Sequence, residues 1–322
     1  MHSIEELRTF FLDYLNQNKF IQTPSELYEP NNYFLQIGGK RLRPALLLLC
    51  TEIFGGKYET ALDAALTTEY FHNFTLIHDD IMDNAPLRRG FPTVHEKYNL
   101  TTGILSGDVL MIQAYQCLSN IDKKYFKQVF DIFTKTAIEV CEGQQMDINF
   151  ELQTNVLHQD YLEMIKLKTA VLVAASMQIG AIIGGANEKD ADTIYQYGLN
   201  LGIAFQIQDD ILDCFGKPEQ VGKQLGGDIL QNKKTLLLLE AIKIAEIRND
   251  NQLKKALTIE HSEKKLKTIL AIFNTYQIKE YGTKIRDSYI EQSIAYLNKI
   301  NIDKEKKAIL NKLIEHLVLR SF

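Results

Sequence analysis

The positions of the proline residues limit most strongly what this chain can fold into. Of six prolines, five lie at or before Pro92 and the sixth is Pro218, so the long segment between these two contains none. Because proline removes a backbone donor and clashes with the preceding helical turn, this segment can form long uninterrupted helices. Apolar residues also recur at helical spacing from Leu236 onward. Alternating patterns closed by Asn-Gly or Asp-Gly are absent from the sequence, which therefore predicts an all-α fold.

Glycine and proline clusters divide the predicted helices. They fall at residues 38–39, 55–56, 84–92, 184–187 and 216–227, and the last is the longest break. Residues 278–297 carry apolar side chains mostly three or four apart, as an amphipathic helix requires. The sequence of 322 residues is 45% hydrophobic and contains neither an internal repeat nor a low-complexity linker. We therefore expect residues 1–322 to form a single domain, a large helical bundle.

Composition and the N-terminus exclude several classes of protein. The net charge is −5, so no basic excess indicates a nucleic-acid partner. Glu5, Glu6 and Arg8 stand where a signal peptide would need apolar residues. The most apolar segment, residues 170–186, contains polar residues and glycines and falls short of the roughly 20 apolar residues that span a bilayer. It is predicted to be a buried core helix, without a membrane span. The four cysteines form no C-x-x-C pair and are predicted to be buried thiols, so we expect a cytoplasmic protein.

Two aspartate clusters stand within apolar helical segments. The first is Asp79-Asp-Ile-Met-Asp83 and the second is Asp209-Asp-Ile-Leu-Asp213. Residues four apart share one face of a helix, so the outer aspartates of each cluster converge and repel one another unless a cation lies between them. A single cluster would also suit an acidic surface turn, but two in matching apolar contexts favour a metal site. Carboxylate oxygens select hard cations, and Mg²⁺ completes its shell with water and substrate phosphates.

Basic residues lie before, between and after the two aspartate clusters and predict an anionic substrate. They occur at Lys40 and Arg43 beside a Gly-Gly pair, at Arg88 and Arg89, at Lys168 with Thr169, at Lys223, and at Lys233. Each group alone is typical of a solvated surface. Together with Mg²⁺ they suit a diphosphate, whose oxygen atoms bind the arginine fork and backbone amides.

The order of these motifs resembles that of the trans-isoprenyl diphosphate synthases, also called the polyprenyl synthetase family. The resemblance covers residues 38–235 and includes GGKRLRP, HDDIMDNAPLRRGFPTVH, GILSGDVL, GQQMD, FQIQDDILD and GDILQNKKT. It implies an all-α bundle around a deep central cavity, usually a homodimer, that condenses isopentenyl diphosphate with an allylic diphosphate. It also implies Mg²⁺ as cofactor, with about three ions in each active site. One departure is that Gln231 and Asn232 precede Lys233, where relatives often have glycine.

The resemblance assigns a role to each matching residue. It implies that Asp79, Asp83 and Asp209 are the main metal ligands, with Asp213 and Asp80 in support. The isopentenyl diphosphate site is expected at Gly39, Lys40, Arg43, His72 and Arg89. The allylic diphosphate site is expected at Arg88, Lys168, Thr169, Gln206, Lys223 and Lys233, which with Asp79, Asp83 and Asp209 form the predicted catalytic set.

The implied reaction begins when the allylic diphosphate ionises and ends when the condensed product loses a proton. The carbonyl of Lys168, the hydroxyl of Thr169 and the amide of Gln206 are expected to stabilise the allylic cation. Apolar walls are expected to keep water away from the cation. No side chain is identified as the base, and the released diphosphate is the hypothesis for that role.

Product length in this family depends on residues just before the first aspartate cluster. Here Phe74 and Thr75 occupy the fifth and fourth positions before Asp79. One aromatic residue followed by a small one resembles the geranylgeranyl (C20) type, whereas two aromatic residues would favour farnesyl (C15). Phe71, one turn further away, argues against very long products.

Other functions remain open at this stage. A class I terpene cyclase also uses Asp-Asp-x-x-Asp and Mg²⁺ in an α bundle, but its second metal motif usually differs and it needs no second diphosphate site. A non-catalytic subunit of a heteromeric synthase usually lacks an aspartate motif, whereas both are intact here. A purely structural helical protein explains neither cluster.

Overall fold

A computed structural model of the chain describes residues 1–153, 155–216, 226–315 and 318. The helices are α1 (Ile4–Gln17), α2 (Ser25–Gln36), α3 (Leu42–Ile53), α4 (Leu62–Met82), α5 (Val94–Lys97), α6 (Leu100–Leu118), α7 (Lys123–Leu152), α8 (His158–Ile165), α9 (Val171–Gly184), α10 (Glu188–Phe215), α11 (Gly227–Leu230), α12 (Leu236–Ile247), α13 (Gln252–Leu257), α14 (Ser262–Thr275), α15 (Ile278–Lys299) and α16 (Lys304–Ile314). A 3₁₀ turn spans Tyr58–Ala61, and a π-helical turn, Lys166–Ala170, joins α8 to α9. The all-α prediction is confirmed.

The described residues group into two compact units. Unit 1 comprises Met1–Ala137 and Ala175–Tyr195, and unit 2 comprises Ile138–Ala174 and Gln196–Phe322. Helices α7, α9 and α10 each contribute residues to both units. The expectation of a single domain over residues 1–322 stays a prediction.

Unit 1 is built around α3, α4 and α6. The α3 leucines 46–49 are fully buried, together with Phe11, Phe71 and Phe133. Small residues let α6 approach α4 closely: a Cβ atom at Gly107 would lie 2.3 Å from the Nε2 atom of His78. Ser106 is also fully buried. This close packing fixes the end of α4, where the first aspartate cluster lies.

Unit 2 has its own apolar core. Ile203, Ile207 and Ile211 recur at helical spacing on α10 and pack with Leu237 and Phe273, among other side chains. This stripe is the amphipathic face that a core-facing helix presents. It fixes the rotation of α10 and therefore the direction in which the second aspartate cluster points.

Most predicted boundaries are confirmed. The breaks at 38–39, 55–56 and 84–92 fall between helices, and the break at 184–187 begins at the last residue of α9 and ends before α10. The amphipathic segment 278–297 lies within Ile278–Lys299. The break at 216–227 lies mostly outside the described residues. The helical stretch His158–Gly184 is long and apolar enough to cross a bilayer, but 89% of its apolar window is buried inside the protein, as predicted for a core helix.

Two features differ from the sequence-based expectations. Cys50, Cys117 and Cys214 are buried, but Cys141 is exposed, so the prediction of four buried thiols was wrong for this residue. Cys141 lies on a solvent-facing side of the long helix α7. In addition, the break at 84–92 contains a short antiparallel hairpin of β1 (Leu87–Arg88) and β2 (Phe91–Pro92).

Candidate active site

The first aspartate cluster ends helix α4 in unit 1. Asp79 lies in its last turn and Asp83 caps its C-terminus, where the Asp83 backbone N–H donates to the Asp79 carbonyl at 2.9 Å. This bond preserves the helical offset that the sequence predicts. Asp79 is partly buried, Asp83 is exposed, and the middle residue, Asp80, is only 1% exposed. The outer carboxylates are therefore more accessible to a ligand than the middle one.

Asp80 binds Arg88. The Nε atom of Arg88 donates to both carboxylate oxygens of Asp80 at 2.8 Å, and an Nη atom lies 2.6 Å from the same carboxylate. The other neighbour of this guanidinium is Asp79, at 3.6 Å. Burial raises the pKa of Asp80, and Arg88 partly opposes that rise. Asp80 thus holds Arg88 next to Asp79, where both a metal and a diphosphate are expected.

The hairpin turn points two adjacent arginines in different directions. Arg89 and Gly90 have φ angles of 52° and 81°, as in the type I′ turn that best fits a two-residue hairpin. Arg88 on β1 reaches Asp80, while Arg89 donates to the carbonyl of Gly38. Tyr33 anchors the hairpin by donating to the Pro92 carbonyl at 2.7 Å. The two arginines can therefore serve different groups.

The Gly-Gly loop brings four predicted isopentenyl diphosphate residues together. A Cβ atom at Gly39 would lie 2.7 Å from the Nη1 atom of Arg89, so the absence of a side chain lets this guanidinium approach the loop. Nearby, Nη1 of Arg43 donates to Nε2 of His72 at 3.1 Å. Burial lowers the pKa of His72 well below its ordinary value, and the charges of Arg43 and Arg89 lower it further. A neutral imidazole beside two arginines is suited to binding an anionic substrate.

Arg41 has a structural role. It adopts a left-handed conformation with φ of 48°, is buried, and pairs with the buried carboxylate of Glu69. Asn73 donates to the same Glu69 oxygen at 2.8 Å. Of the three cations in this loop, Arg41 stabilises the loop through its ion pair with Glu69, whereas Lys40 is exposed. This division agrees with the assignment of Lys40 and Arg43, and not Arg41, to the substrate.

Aromatic side chains precede the first cluster on α4. Phe74 is 8% exposed and contacts Phe71 and His78, with ring centroids 5.5 and 4.8 Å apart. Phe71 is buried and packs on Phe133 at 5.4 Å. Thr75 donates its hydroxyl to the His72 carbonyl at 2.8 Å. Of these two phenylalanines, Phe74 is the closer to Asp79 along the sequence.

The second aspartate cluster lies near the end of α10 in unit 2. Asp209 and Asp213 are partly buried, and Asp210 is buried. The Asp213 carboxylate accepts the backbone N–H of Asp228 at 3.2 Å, which ties it to the first turn of α11. Burial raises the pKa of Asp210 to about 8, and the charge of Asp228 adds to this rise. As in the first cluster, the middle carboxylate is the buried one.

Lys168 and Thr169 lie on the π-helical turn Lys166–Ala170. Single π turns are rare and are often found at functional sites, because they change the direction of side chains within a helix. Two glycines of unit 2 flank this turn. A Cβ atom at Gly143 would lie 2.3 Å from the Lys168 backbone nitrogen, and one at Gly202 would lie 2.8 Å from the Ala170 Cα atom. The turn therefore fits only between helices that lack side chains at these positions.

Asp147 joins two of the predicted diphosphate-binding lysines. Its Oδ2 atom is 2.6 Å from Nζ of Lys168 and 3.7 Å from Nζ of Lys233. Burial alone would raise the pKa of Asp147, but the two lysines together hold it below its ordinary value. The adjacent Lys234 donates to the carbonyls of Phe150 and Gln153, at the C-terminus of α7, where a cation is favourable.

The carboxylates fit the predicted cofactor. Within the described ranges, no group of three or more His, Cys, Asp or Glu side chains could hold a metal ion alone. Mg²⁺ is usually held by one or two carboxylates together with water and substrate phosphates. Asp79 with Asp83, and Asp209 with Asp213, offer such incomplete sets of oxygen ligands.

The described residues thus form two groups. In unit 1 the structure brings together Gly39, Arg43, His72 and Arg89, and separately Asp79 with Arg88. In unit 2 it brings together Lys168 and Lys233, and also Thr169 and Gln206, whose side-chain oxygens are 3.4 Å apart. Lys223 lies outside the described residues. Asp147 joins this group in the structure, whereas the sequence indicates it only as one of the polar residues of GQQMD on a helix.

The chain is similar to known proteins in both sequence and structure. A sequence profile of the polyprenyl synthetase family matches residues 24–276. A geranylgeranyl diphosphate synthase from Methanosarcina mazei is 37% identical over 304 residues, which cover 94% of this chain and 92% of that protein. A geranylfarnesyl diphosphate synthase from Natronomonas pharaonis is 39% identical and covers 74% of this chain and 75% of its own length. A crystal structure of geranylgeranyl pyrophosphate synthase has 42% identity and a TM-score of 0.95, with complete coverage of both chains. The chain belongs to the polyprenyl synthetase family and is a prenyltransferase.

Proposed function

We propose that this enzyme condenses isopentenyl diphosphate with a C5–C15 allylic diphosphate and releases geranylgeranyl diphosphate. The family uses these two classes of substrate and a divalent metal ion. The observation that carries the C20 product is Phe74, a buried aromatic side chain five residues before Asp79 and followed by the small Thr75. The Methanosarcina mazei relative bears the same product in its name.

The metal in this proposal is Mg²⁺, held by Asp79 and Asp83 and by Asp209 with support from Asp213. When bound, it supplies positive charge that stabilises the departing diphosphate. About three ions in each active site remain the expectation for the family. The oxygen-only donor sets and the accessible outer carboxylates support this choice.

Cationic side chains bind the two diphosphates in this proposal. Arg88, Lys168, Lys223 and Lys233 hold the allylic diphosphate, and Gly39, Lys40, Arg43, His72 and Arg89 hold isopentenyl diphosphate. The existing pairs support this assignment, because Asp80 and Asp147 orient Arg88, Lys168 and Lys233 before any substrate arrives. Such preorganised charge is often the largest catalytic contribution, and one lost donor costs about 2.7–4 kcal/mol.

The carbon–carbon bond forms at an electron-poor allylic centre. We propose that the Lys168 carbonyl, the Thr169 hydroxyl and the Gln206 side-chain oxygen stabilise positive charge on the allylic chain. Thr169 and Gln206 are already paired on the π turn and α10. The allylic C–O bond breaks and diphosphate leaves, and the C=C bond of isopentenyl diphosphate attacks the resulting cation. The proton then lost from the condensed product goes to the released diphosphate.

A primer series tests the product. Purified protein is incubated with Mg²⁺, labelled isopentenyl diphosphate and C5, C10 or C15 allylic diphosphates, and the dephosphorylated products are separated by chromatography. We expect all productive primers to give a C20 product. A terminal C15 product would identify a farnesyl diphosphate synthase, and a terminal C25 product would match the Natronomonas pharaonis relative; either would contradict the proposed chain length.

Replacing Phe74 tests which side chain limits the length of the product. In Phe74→Ala the aromatic ring beside Phe71 and His78 is lost, so a longer hydrocarbon chain can be accommodated. We expect the main product to lengthen by at least one C5 unit, at a stability cost of about 3 kcal/mol for a buried phenylalanine. Phe11→Ala, which removes a buried phenylalanine of α1, is the control and should leave product length unchanged. An unchanged C20 product in Phe74→Ala would refute this role.

We propose that the enzyme is a homodimer. Ile104, Leu105 and Ile112 on α6 and Phe126 on α7 are exposed apolar side chains of unit 1. Exposed apolar side chains on two consecutive helices can form an interaction surface. Light scattering during size-exclusion chromatography should give twice the mass of the chain, and Ile112→Lys should shift the protein toward the monomer. A wild-type protein that runs as a monomer at all concentrations would contradict the proposal.

We also propose a cytoplasmic location. Burial of the apolar segment within His158–Gly184 supports it. After cell fractionation the protein should remain in the supernatant. Recovery only in the membrane pellet would contradict this location.

A further inference from the structure

A series of hydrogen bonds connects a buried tyrosine to the π turn in unit 2. The hydroxyl of Tyr161 donates to Oδ2 of Asp210. The Nε2 atom of Gln206 donates to Oδ1 of Asp210 at 3.2 Å, and the hydroxyl of Thr169 donates to Oε1 of Gln206 at 3.4 Å. Tyr161 and Asp210 are 2% and 4% exposed. These four side chains therefore form one connected network, buried at the Tyr161 end.

The network determines which way the Gln206 amide points. A primary amide has a donating NH₂ group at one end and an accepting oxygen at the other. With its NH₂ group on Asp210, Gln206 must direct its oxygen toward Thr169. Tyr161 engages the second oxygen of Asp210, so the carboxylate cannot rotate without losing a buried hydrogen bond.

The same contacts explain the role of Asp210, the middle aspartate of the second cluster. Both Asp210 oxygens have partners within the protein, as both Asp80 oxygens have Arg88 as their partner. The helical offset in the sequence separates Asp210 from the outer aspartates but names no partner for it. Their contacts assign Asp210 to Gln206 and Tyr161.

We propose that Tyr161 is a positioning residue for the prenyl transfer reaction, which acts through Asp210 to keep the side-chain oxygen of Gln206 beside the Thr169 hydroxyl. This inference rests on the proposed function, in which these two oxygens stabilise positive charge on the allylic chain. Tyr161 therefore affects the step in which positive charge develops on the allylic chain. Binding of isopentenyl diphosphate, assigned to unit 1 residues, should not depend on it.

Tyr161→Phe removes the hydroxyl and retains the ring. We expect kcat to fall roughly tenfold, the factor that corresponds to one net hydrogen bond, while KM for isopentenyl diphosphate is unchanged. The matched control is Tyr197→Phe, because Tyr197 is also a fully buried tyrosine of unit 2 and donates to the Leu310 carbonyl at 2.7 Å. Both variants should lose thermal stability, but only Tyr161→Phe should lose kcat.

A double-mutant cycle separates positioning from general loss of structure. In a Gln206→Leu background the amide is gone, so Tyr161→Phe should reduce kcat no further. Asp210→Asn is the second variant, because its amide can present an NH₂ group to Gln206 and reverse that side chain; it should also lower kcat roughly tenfold. If Tyr161→Phe does not fold, the kcat of Asp210→Asn tests the proposal instead.

Three results would overturn the inference. They are an unchanged kcat in folded Tyr161→Phe, an unchanged kcat in Asp210→Asn, and an undiminished effect of Tyr161→Phe in the Gln206→Leu background. A wild-type enzyme that elongates no primer would instead contradict the proposed function itself.

Discussion

Asp79→Asn should lower kcat for prenyl transfer by about 10³-fold while the protein remains folded. The substitution keeps the size of the side chain and removes the negative charge that the proposed metal site needs. Asp79 lies at the accessible end of α4, partly exposed and 3.6 Å from Arg88, so its charge contributes little to the core. The free energy of unfolding should therefore change by less than about 0.5 kcal/mol. Steady-state kinetics over a range of Mg²⁺ concentrations, with thermal unfolding, checks both parts.

Two further substitutions make this test specific. Asp13→Asn removes an exposed carboxylate of α1 and should leave kcat and stability unchanged. Asp80→Asn affects the buried partner of Arg88 and should lower the unfolding temperature, which Asp79→Asn should not. If Asp79→Asn retained wild-type kcat at every Mg²⁺ concentration, the first cluster would not be the metal site.

Gly143→Ala should reduce kcat by roughly 10²-fold, because it displaces the π turn that carries Lys168 and Thr169. The new Cβ atom would lie 2.3 Å from the Lys168 backbone nitrogen and 2.7 Å from the Leu167 carbonyl carbon, and backbone atoms cannot move aside as the end of a side chain can. Overpacking of this kind costs about 1–3 kcal/mol, while the better helix propensity of alanine returns up to about 1 kcal/mol. A net loss of about 1 kcal/mol of stability is expected from these two effects.

The control for this prediction is a glycine in the same unit that meets only side chains. In Gly282→Ala, on α15, the nearest atom is the end of the Leu237 side chain at 2.7 Å, which can shift at small cost, whereas the carbons of Ile211 are 3.3 Å away or more, so α10 can keep its position. We expect this variant to keep its kcat. Circular dichroism and kinetics on both variants provide the comparison, and equal kcat values for the two would show that the π turn does not need its close approach to Gly143.

The charged positions are visible in the sequence, but the contacts of the two members of an adjacent pair are not, and only the resemblance to the family separates Arg88 from Arg89. Arg88 and Arg89 are equivalent in a motif, yet one binds Asp80 and the other binds the Gly38 carbonyl. The reason is the hairpin turn, which depends on a positive φ at Arg89 that no Asn-Gly or Asp-Gly signal marks. Lys233 and Lys234 diverge similarly, because the end of α7 offers free carbonyls to only one of them.

The π turn could not be predicted from the sequence, for a related reason. Helical periodicity correctly identified the segment as a buried helix, but the extra residue in the turn is stabilised by two glycines that are remote in sequence, Gly143 and Gly202. Local propensity contains no information about such contacts. Asp147 was overlooked because its significance appears only when Lys168 and Lys233 are seen beside it.

The most direct test of the proposed function is incorporation of labelled isopentenyl diphosphate into a longer prenyl diphosphate by purified wild-type protein. With a C15 allylic diphosphate and Mg²⁺, we predict rapid formation of a C20 product, and with EDTA in place of Mg²⁺ we predict none. If no primer between C5 and C15 is elongated with Mg²⁺ present, or if elongation is equally fast in EDTA, the proposal of a magnesium-dependent prenyltransferase built on Asp79, Asp83 and Asp209 is contradicted.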